Sequence, residues 1–310
     1  MEQADAGYGQ VVYGSTVTVG QEKPGKGFVQ GADQPLGGGP ETGDLLGYAG
    51  VAGRSQTGYP FLVIGVPGED GAGGVDMGFI HYVYGTDCKA ASVSQDTTGV
   101  WEDAEPYDRF GASIAATGRH FVVGAPGESL GDAVSAGAVL AFRPSINTNG
   151  IPDPLFGMGQ SRTSASDLAA EEGDRYGTSV AMVPYRPSGD PAVTNSMLAV
   201  GVPGEESAAD RADTGGVALF SMLGEPGADD SWIEPGHGIP GPSAPRQLAG
   251  MSLGGSQALL YVGMPYGPAE GHAVHGFPWD TANGGAPSET FRPGDGGIPA
   301  GDVTFGATVR

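Results

Sequence analysis

The chain has 310 residues, 58 of them glycine and 25 proline, and carries a formal charge of −22. That charge speaks against nucleic acid and anionic membrane surfaces, both of which need a basic footprint, and no apolar run approaches the length of a membrane span. A single cysteine, Cys88, excludes an internal disulfide framework and any cysteine-rich zinc site.

Glycine and proline at this level would suggest disorder in an aperiodic sequence, but here they recur at fixed places between apolar runs. The opening residues, MEQADAGYGQ, have neither the charged start nor the apolar core of a signal peptide, so export would need a signal upstream of Met1. Ala4 to Gly14, ADAGYGQVVYG, overlies Val75 to Gly85, VDMGFIHYVYG, without a gap. The chain therefore opens inside a repeat, in a partial unit spanning 5–45. Repeats then run over 46–109, 110–175, 176–248 and 249–304, and a further one begins at 305–310. Their opening glycines, Gly47, Gly111, Gly177, Gly250 and Gly306, stand 64, 66, 73 and 56 residues apart. Units of this length leave room for four short strands.

Within each repeat the order is constant. A first strand of small residues follows the opening glycine, as in Gly111-Ala112-Ser113 and Gly177-Thr178-Ser179. Next comes a continuous apolar run that ends in Gly-x-Pro: Phe61 to Ile64, Phe121 to Val123, Leu198 to Val200, Leu259 to Val262. Short, β-branched and aromatic, these runs predict strands buried on both faces. A third strand follows Asp76-Met77-Gly78, Ser135-Ala136-Gly137 and Asp213-Thr214-Gly215. The fourth strand is the least defined, and Ala90 to Gln95 and Ser164 to Ala169 are its candidates. The segments 21–41, 224–245 and 282–301 read as mobile loops.

Small first strands suit an axis on which several sheets converge. The expected fold is all-β: a β-propeller of four-stranded antiparallel blades, about 60 to 65 residues each, with four to five blades present. A solenoid or β-sandwich is the alternative. Strands from both termini could close a small ring, or the chain could be an arc of a larger one; the arc is preferred, because the chain ends inside a strand.

Phe110-Gly111 and Gly124-Ala125-Pro126, with GDRYGTSVA at 173–181 and LAVGVPGEE at 198–206, carry a resemblance to the FG-GAP repeat family over residues 5–310. Integrin alpha-subunit head propellers are its best-known members, and bacterial secreted FG-GAP proteins look closer still. The resemblance implies a propeller outside the cytoplasm or at the cell surface, used for adhesion or ligand binding. It also implies Ca²⁺ in the loop between first and second strands, held by an Asp-x-Asp/Asn-x-Asp-Gly pattern. Here those loops read AGRSQTGYP (52–60), ATGRH (116–120), PYRPSGDPAVTNS (184–196) and GGSQA (254–258). Only Asp190 and Asn195 offer oxygen ligands, so neither a metal nor another cofactor is expected.

Carboxylates gather instead after the Pro-Gly stops: Glu69, Asp70 and Asp76; Glu128 and Asp132; Glu205, Glu206, Asp210 and Asp213. In a propeller these loops share one end, so the residues form an acidic rim, either simply solvated or a surface for a cation or basic partner. Gly250-Met251-Ser252-Leu253-Gly254 matches the G-x-S-x-G nucleophile elbow but lies in register with the first strands, outside the strand-turn-helix setting that motif needs. His272 and His275 would face opposite sides of one strand. Trp101, Trp232 and Trp279 fall near loops, where they would pack at blade edges or stack on a sugar. The function expected is a non-enzymatic binding or adhesion module for a protein or glycan ligand, without nucleic acid or membrane insertion. The alternative is an accessory region of a secreted hydrolase whose catalytic domain lies outside this chain.

Overall fold

In the computed structural model the described residues are 4–13, 19, 24–31, 34–160, 169–185, 195–207, 212–222, 230–267, 272–301 and 304–309, and all regular structure among them is β. Four antiparallel four-stranded sheets follow one another along the chain as the blades of a propeller. Blade 1 comprises β3 (Gly50–Arg54), β4 (Pro60–Val66), β5 (Phe79–Tyr84) and β6 (Lys89–Val93). Blade 2 comprises β7 (Ser113–Ala116), β8 (Phe121–Ala125), β9 (Ala138–Ile146) and β10 (Pro152–Met158). Blade 3 holds β11 (Ser179–Tyr185), β12 (Asn195–Val202), β13 (Gly216–Ser221) and β14 (Ser231–Pro235), with a short parallel addition, β15 (Gly238–Ile239). Blade 4 holds β16 (Ser252–Gly255), β17 (Leu259–Met264), β18 (Ala273–Pro278) and β19 (Glu289–Phe291). Ahead of them β1 (Gly9–Val11) pairs with β2 (Lys26–Phe28) as the third and fourth strands of a partial blade.

The second strands explain the stacking. Side chains alternate between the faces of a strand, and here both faces are covered. In β4, Phe61 and Val63 enter the core shared with blade 2, while Ile64 and Val66 enter the core under the β1–β2 pair. In β8, Phe121 and Val123 point back to blade 1 and Val122 forward to blade 3. Leu198 and Val200 of β12 face blade 2, and Ala199 faces blade 4. A strand sandwiched in this way must be apolar at every position, which is why these runs do not alternate with polar residues.

At the hub the inner strands touch in chain order, β3 on β7, β7 on β11 and β11 on β16. The glycine of each Gly-x-Pro lies against the backbone of the next repeat's opening glycine. A Cβ on Gly65, Gly124, Gly201 or Gly263 would meet the carbonyl oxygen of Gly111, Gly177, Gly250 or Gly306 at 2.1, 2.2, 2.0 and 2.0 Å. Inner-strand serines reinforce the same contact: Ser113 Oγ donates to Gly177 O (2.6 Å) and Ser179 Oγ to Gly250 O (2.7 Å). Gly201→Ala is therefore expected to destabilise the protein by roughly 1–3 kcal/mol through overpacking, measured by urea unfolding. A loss within experimental error would show that the hub can spread.

Two expectations need correction. The fourth strand of blade 2 is β10, at Pro152–Met158, and of the stretch 164–169 only Ala169 lies among the described residues. The segments 21–41, 224–245 and 282–301 are not merely loops, because they supply the outer strands β2, β14 and β19. β2 and β19 are three residues long and partly polar, whereas β14 buries Trp232, Ile233 and Pro235.

Candidate functional site

Antiparallel connection places the loops of a blade alternately at two ends. The β3–β4 and β5–β6 loops, and their counterparts, lie at one end. The β4–β5 loops and the links between blades lie at the other, which is where the carboxylates gather.

At that carboxylate end, the first three blades each hold a carboxyl pair, a buried aspartate beside a glutamate that is buried in blades 2 and 3 and half-buried in blade 1. Asp44, Asp108 and Asp174, no more than 1% exposed, each accept a backbone N–H from Glu41, Glu105 or Glu171 at 2.5, 2.6 and 2.5 Å. Their own backbone carbonyls accept the N–H of Gly68, Gly127 and Gly204, which fixes the Pro-Gly turn. The residue after that turn is Glu69, Glu128 or Glu205. A glutamine just beyond the outer strand of the preceding blade or partial blade reaches it: Gln30 Nε2 donates to Glu69 at 2.5 Å, Gln95 to Glu128 and Gln160 to Glu205. Each cluster thus ties two units together.

No cation neutralises these pairs among the described residues. Burial, and then the neighbouring Asp108 carboxyl, pushes Glu128 up to about 8. Burial likewise raises Glu205 to about 8 and Glu69 to about 7, with Asp174 and Asp44 adding repulsion. Asp108 and Asp174 rise to about 7 and about 6, again chiefly by burial, and Asp44 is raised as well. Like charges in one dry site cannot both ionise easily.

The fourth blade departs from this pattern. Gln247 stands where the aspartates stand and accepts the Ala244 N–H through Oε1 at 2.7 Å, so the turn survives without its charge. Tyr266-Gly267 replaces the Gly-Glu pair.

The expected acidic rim therefore splits. Glu128 and Glu205 are 2% exposed and belong to the blade junctions, as does half-buried Glu69. Asp70 and Asp132 are exposed, Glu206, Asp76 and Asp213 half-buried, and Asp210 lies outside the described residues. Asp70 accepts the Asp76 N–H at 2.9 Å and so orders its own loop. The described residues contain no group of three or more His, Cys, Asp or Glu able to hold a metal ion. Of the two oxygen ligands in the loop 184–196, Asp190 lies outside the described residues and Asn195 is buried, donating to Ser221 Oγ at 3.0 Å.

The remaining sequence candidates are structural. Ser252 lies on the inner strand β16 and accepts the Val309 N–H at 2.6 Å, in no nucleophile elbow. His275 is buried beside Thr290, its Nδ1 at 3.0 Å from the hydroxyl. Trp232 and Trp279 are buried, the latter donating to Ser256 O at 2.8 Å, and Trp101 covers Gly157 of β10.

Two of the open clefts between blades combine an exposed tyrosine with charged side chains. The first, about 410 Å³, lies between blades 1 and 2 at the β3–β4 end, where Thr57, Tyr59, Tyr84, Asp87 and Lys89 face Pro144 and Ser145. Tyr59 is 64% exposed, and Tyr84 stacks on Tyr82, whose hydroxyl donates to Pro144 O at 2.7 Å. The second, about 610 Å³, lies between blades 3 and 4 at the opposite end, lined by Arg175, Asp213, Arg246, Leu248 and Tyr266 with Gly267. Neither cleft is legible in the sequence, because each is assembled from loops of different repeats, two in the first and three in the second. No known family model matches the chain, and no curated protein matches it.

Proposed function

We propose that this propeller is of the FG-GAP type and acts outside the cytoplasm or at the cell surface as a non-enzymatic binding module, presenting a loop-built cleft to a glycan. The observation that carries this reading is the cleft between blades 1 and 2. An exposed tyrosine face, Tyr59, stands there beside a second tyrosine and the polar side chains of Thr57, Asp87 and Lys89. A sugar offers what such a surface needs: an apolar C–H face for the ring and hydroxyls for the polar groups around it. The buried blade cores hold the loops in place before binding, which lowers the ordering cost. The location follows from the motif resemblance.

A glycan array probed with the whole chain tests the proposal. Binding to at least one glycan, reduced tenfold or more in Tyr59→Ala at unchanged Tm, is the expected result. Equal binding by Tyr59→Ala, or capture of a protein partner with no glycan bound, would remove the glycan assignment.

A further inference from the structure

We propose that the second cleft, between blades 3 and 4, is a separate site for an acidic sugar, whose carboxylate is held by Arg175 and Arg246 while its ring rests on Tyr266. The first ground is the broken repeat. At the other junctions this end of the molecule carries a buried aspartate and a glutamate; here Gln247 and Gly267 have removed both charges, and Tyr266 has added a ring, 37% exposed. Gly267 keeps the floor low: its φ is +120°, and a Cβ there would fall 2.8 Å from the Gln247 side chain. A larger residue would strain the turn and fill the space.

The second ground is charge. The chain has only 14 lysines and arginines against 36 acids, yet two exposed arginines line this one cleft. Among the described residues the one ion pair is Arg143–Asp153 elsewhere on the surface, so neither guanidinium is taken up by a described carboxylate. Their backbones are fixed by the preceding blade, Arg175 N–H donating to Ser135 O (3.1 Å) and Arg246 N–H to Ala212 O (2.9 Å). Two guanidiniums carried on anchored backbones can meet the planar, bidentate geometry of a carboxylate.

The third ground is Asp213, which lines the same cleft. A bare anion would be repelled by it. A ligand with a carboxylate at one side and hydroxyl donors at the other satisfies both the arginines and Asp213, and its apolar ring face meets Tyr266, Leu248 and Pro245. A cleft of about 610 Å³ is the size of a small-ligand site.

Titration calorimetry of the whole chain with an oligogalacturonate, its neutral galactan counterpart and a short poly-aspartate peptide tests this. The expected result is binding of the oligogalacturonate at least tenfold tighter than of either comparison probe. Arg175→Gln and Arg246→Gln each weaken it tenfold or more, Arg246→Lys less, and Tyr59→Ala leaves it unchanged. All variants are checked by Tm, and the exposed arginines should leave it within a degree or two. Equal binding of the neutral glycan, no loss in the Arg175→Gln/Arg246→Gln pair, or no binding by wild type overturns the proposal. Tighter binding of the peptide overturns it in favour of a protein ligand. Because Tyr59→Ala and the arginine variants report on opposite ends, failure of one cleft is distinguishable from failure of the other.

Discussion

Raising the pH from about 5 to about 8.5 should lower the stability of this protein, by an amount on the order of a few kcal/mol. The sign follows from the three carboxyl clusters. Glu128 and Glu205 sit near 8 in the folded chain, Glu69 near 7, whereas an unfolded glutamate ionises at roughly 4.3. A carboxyl whose folded value is raised contributes fully below its unfolded value, and that contribution declines as pH rises through the folded one. The window is therefore from about 4.3 to about 8. Release of general repulsion among the surface acids acts in the same direction, so the clusters are isolated by variants. Glu128→Gln mimics the protonated side chain and keeps an acceptor for Gln95. It should change Tm little at pH 5 and raise it at pH 8.5. Urea unfolding of wild type and Glu128→Gln at both pH values decides the matter. Equal destabilisation of the variant at both would mean that the carboxyl charge is welcome in the fold.

Phe121→Ala is expected to cost roughly 3–5 kcal/mol, the range for deleting a fully buried aromatic side chain. Phe121 is 0% exposed and stacks between Tyr82 of blade 1, at 5.5 Å between ring centroids, and Phe142 of its own blade, at 4.9 Å. Phe61 also stacks on Tyr82, at 6.0 Å between ring centroids. Removing the middle ring opens a cavity on a blade junction, where two rigid sheets limit collapse. Phe291→Ala on β19, where the ring is only half-buried and tilted over Tyr261, should cost clearly less. Urea unfolding gives both values, and a Phe121→Ala cost below about 1 kcal/mol would deny that blades 1 and 2 share one core.

The architecture was legible in the sequence because its constraints are strict. Gly124 and Gly201 recur where a Cβ cannot fit, and the all-apolar second strands recur because both their faces are covered. The outer strands were harder to read: Lys26–Phe28 and Glu289–Phe291 are short and polar, and glycine around them resembles loop composition. Glu69, Glu128 and Glu205 read as rim charges because acids in turns are usually solvated. A signal of their burial was present all the same. An aspartate two residues before the opening step recurs with each of these glutamates, and the fourth repeat loses both together, at Gln247 and Gly267. The two clefts offered no such signal, since residues such as Tyr59 and Ser145, or Arg175 and Arg246, meet only once the blades are stacked.

The identical glycine-on-glycine seam at successive junctions has a consequence for how such a chain can change. Whole units can be duplicated, lost or shuffled without inventing a new joint, since every unit presents the same socket and the same plug. Chemistry carried by the turns can then drift one unit at a time, as the fourth has done, while the axle of the molecule is inherited intact.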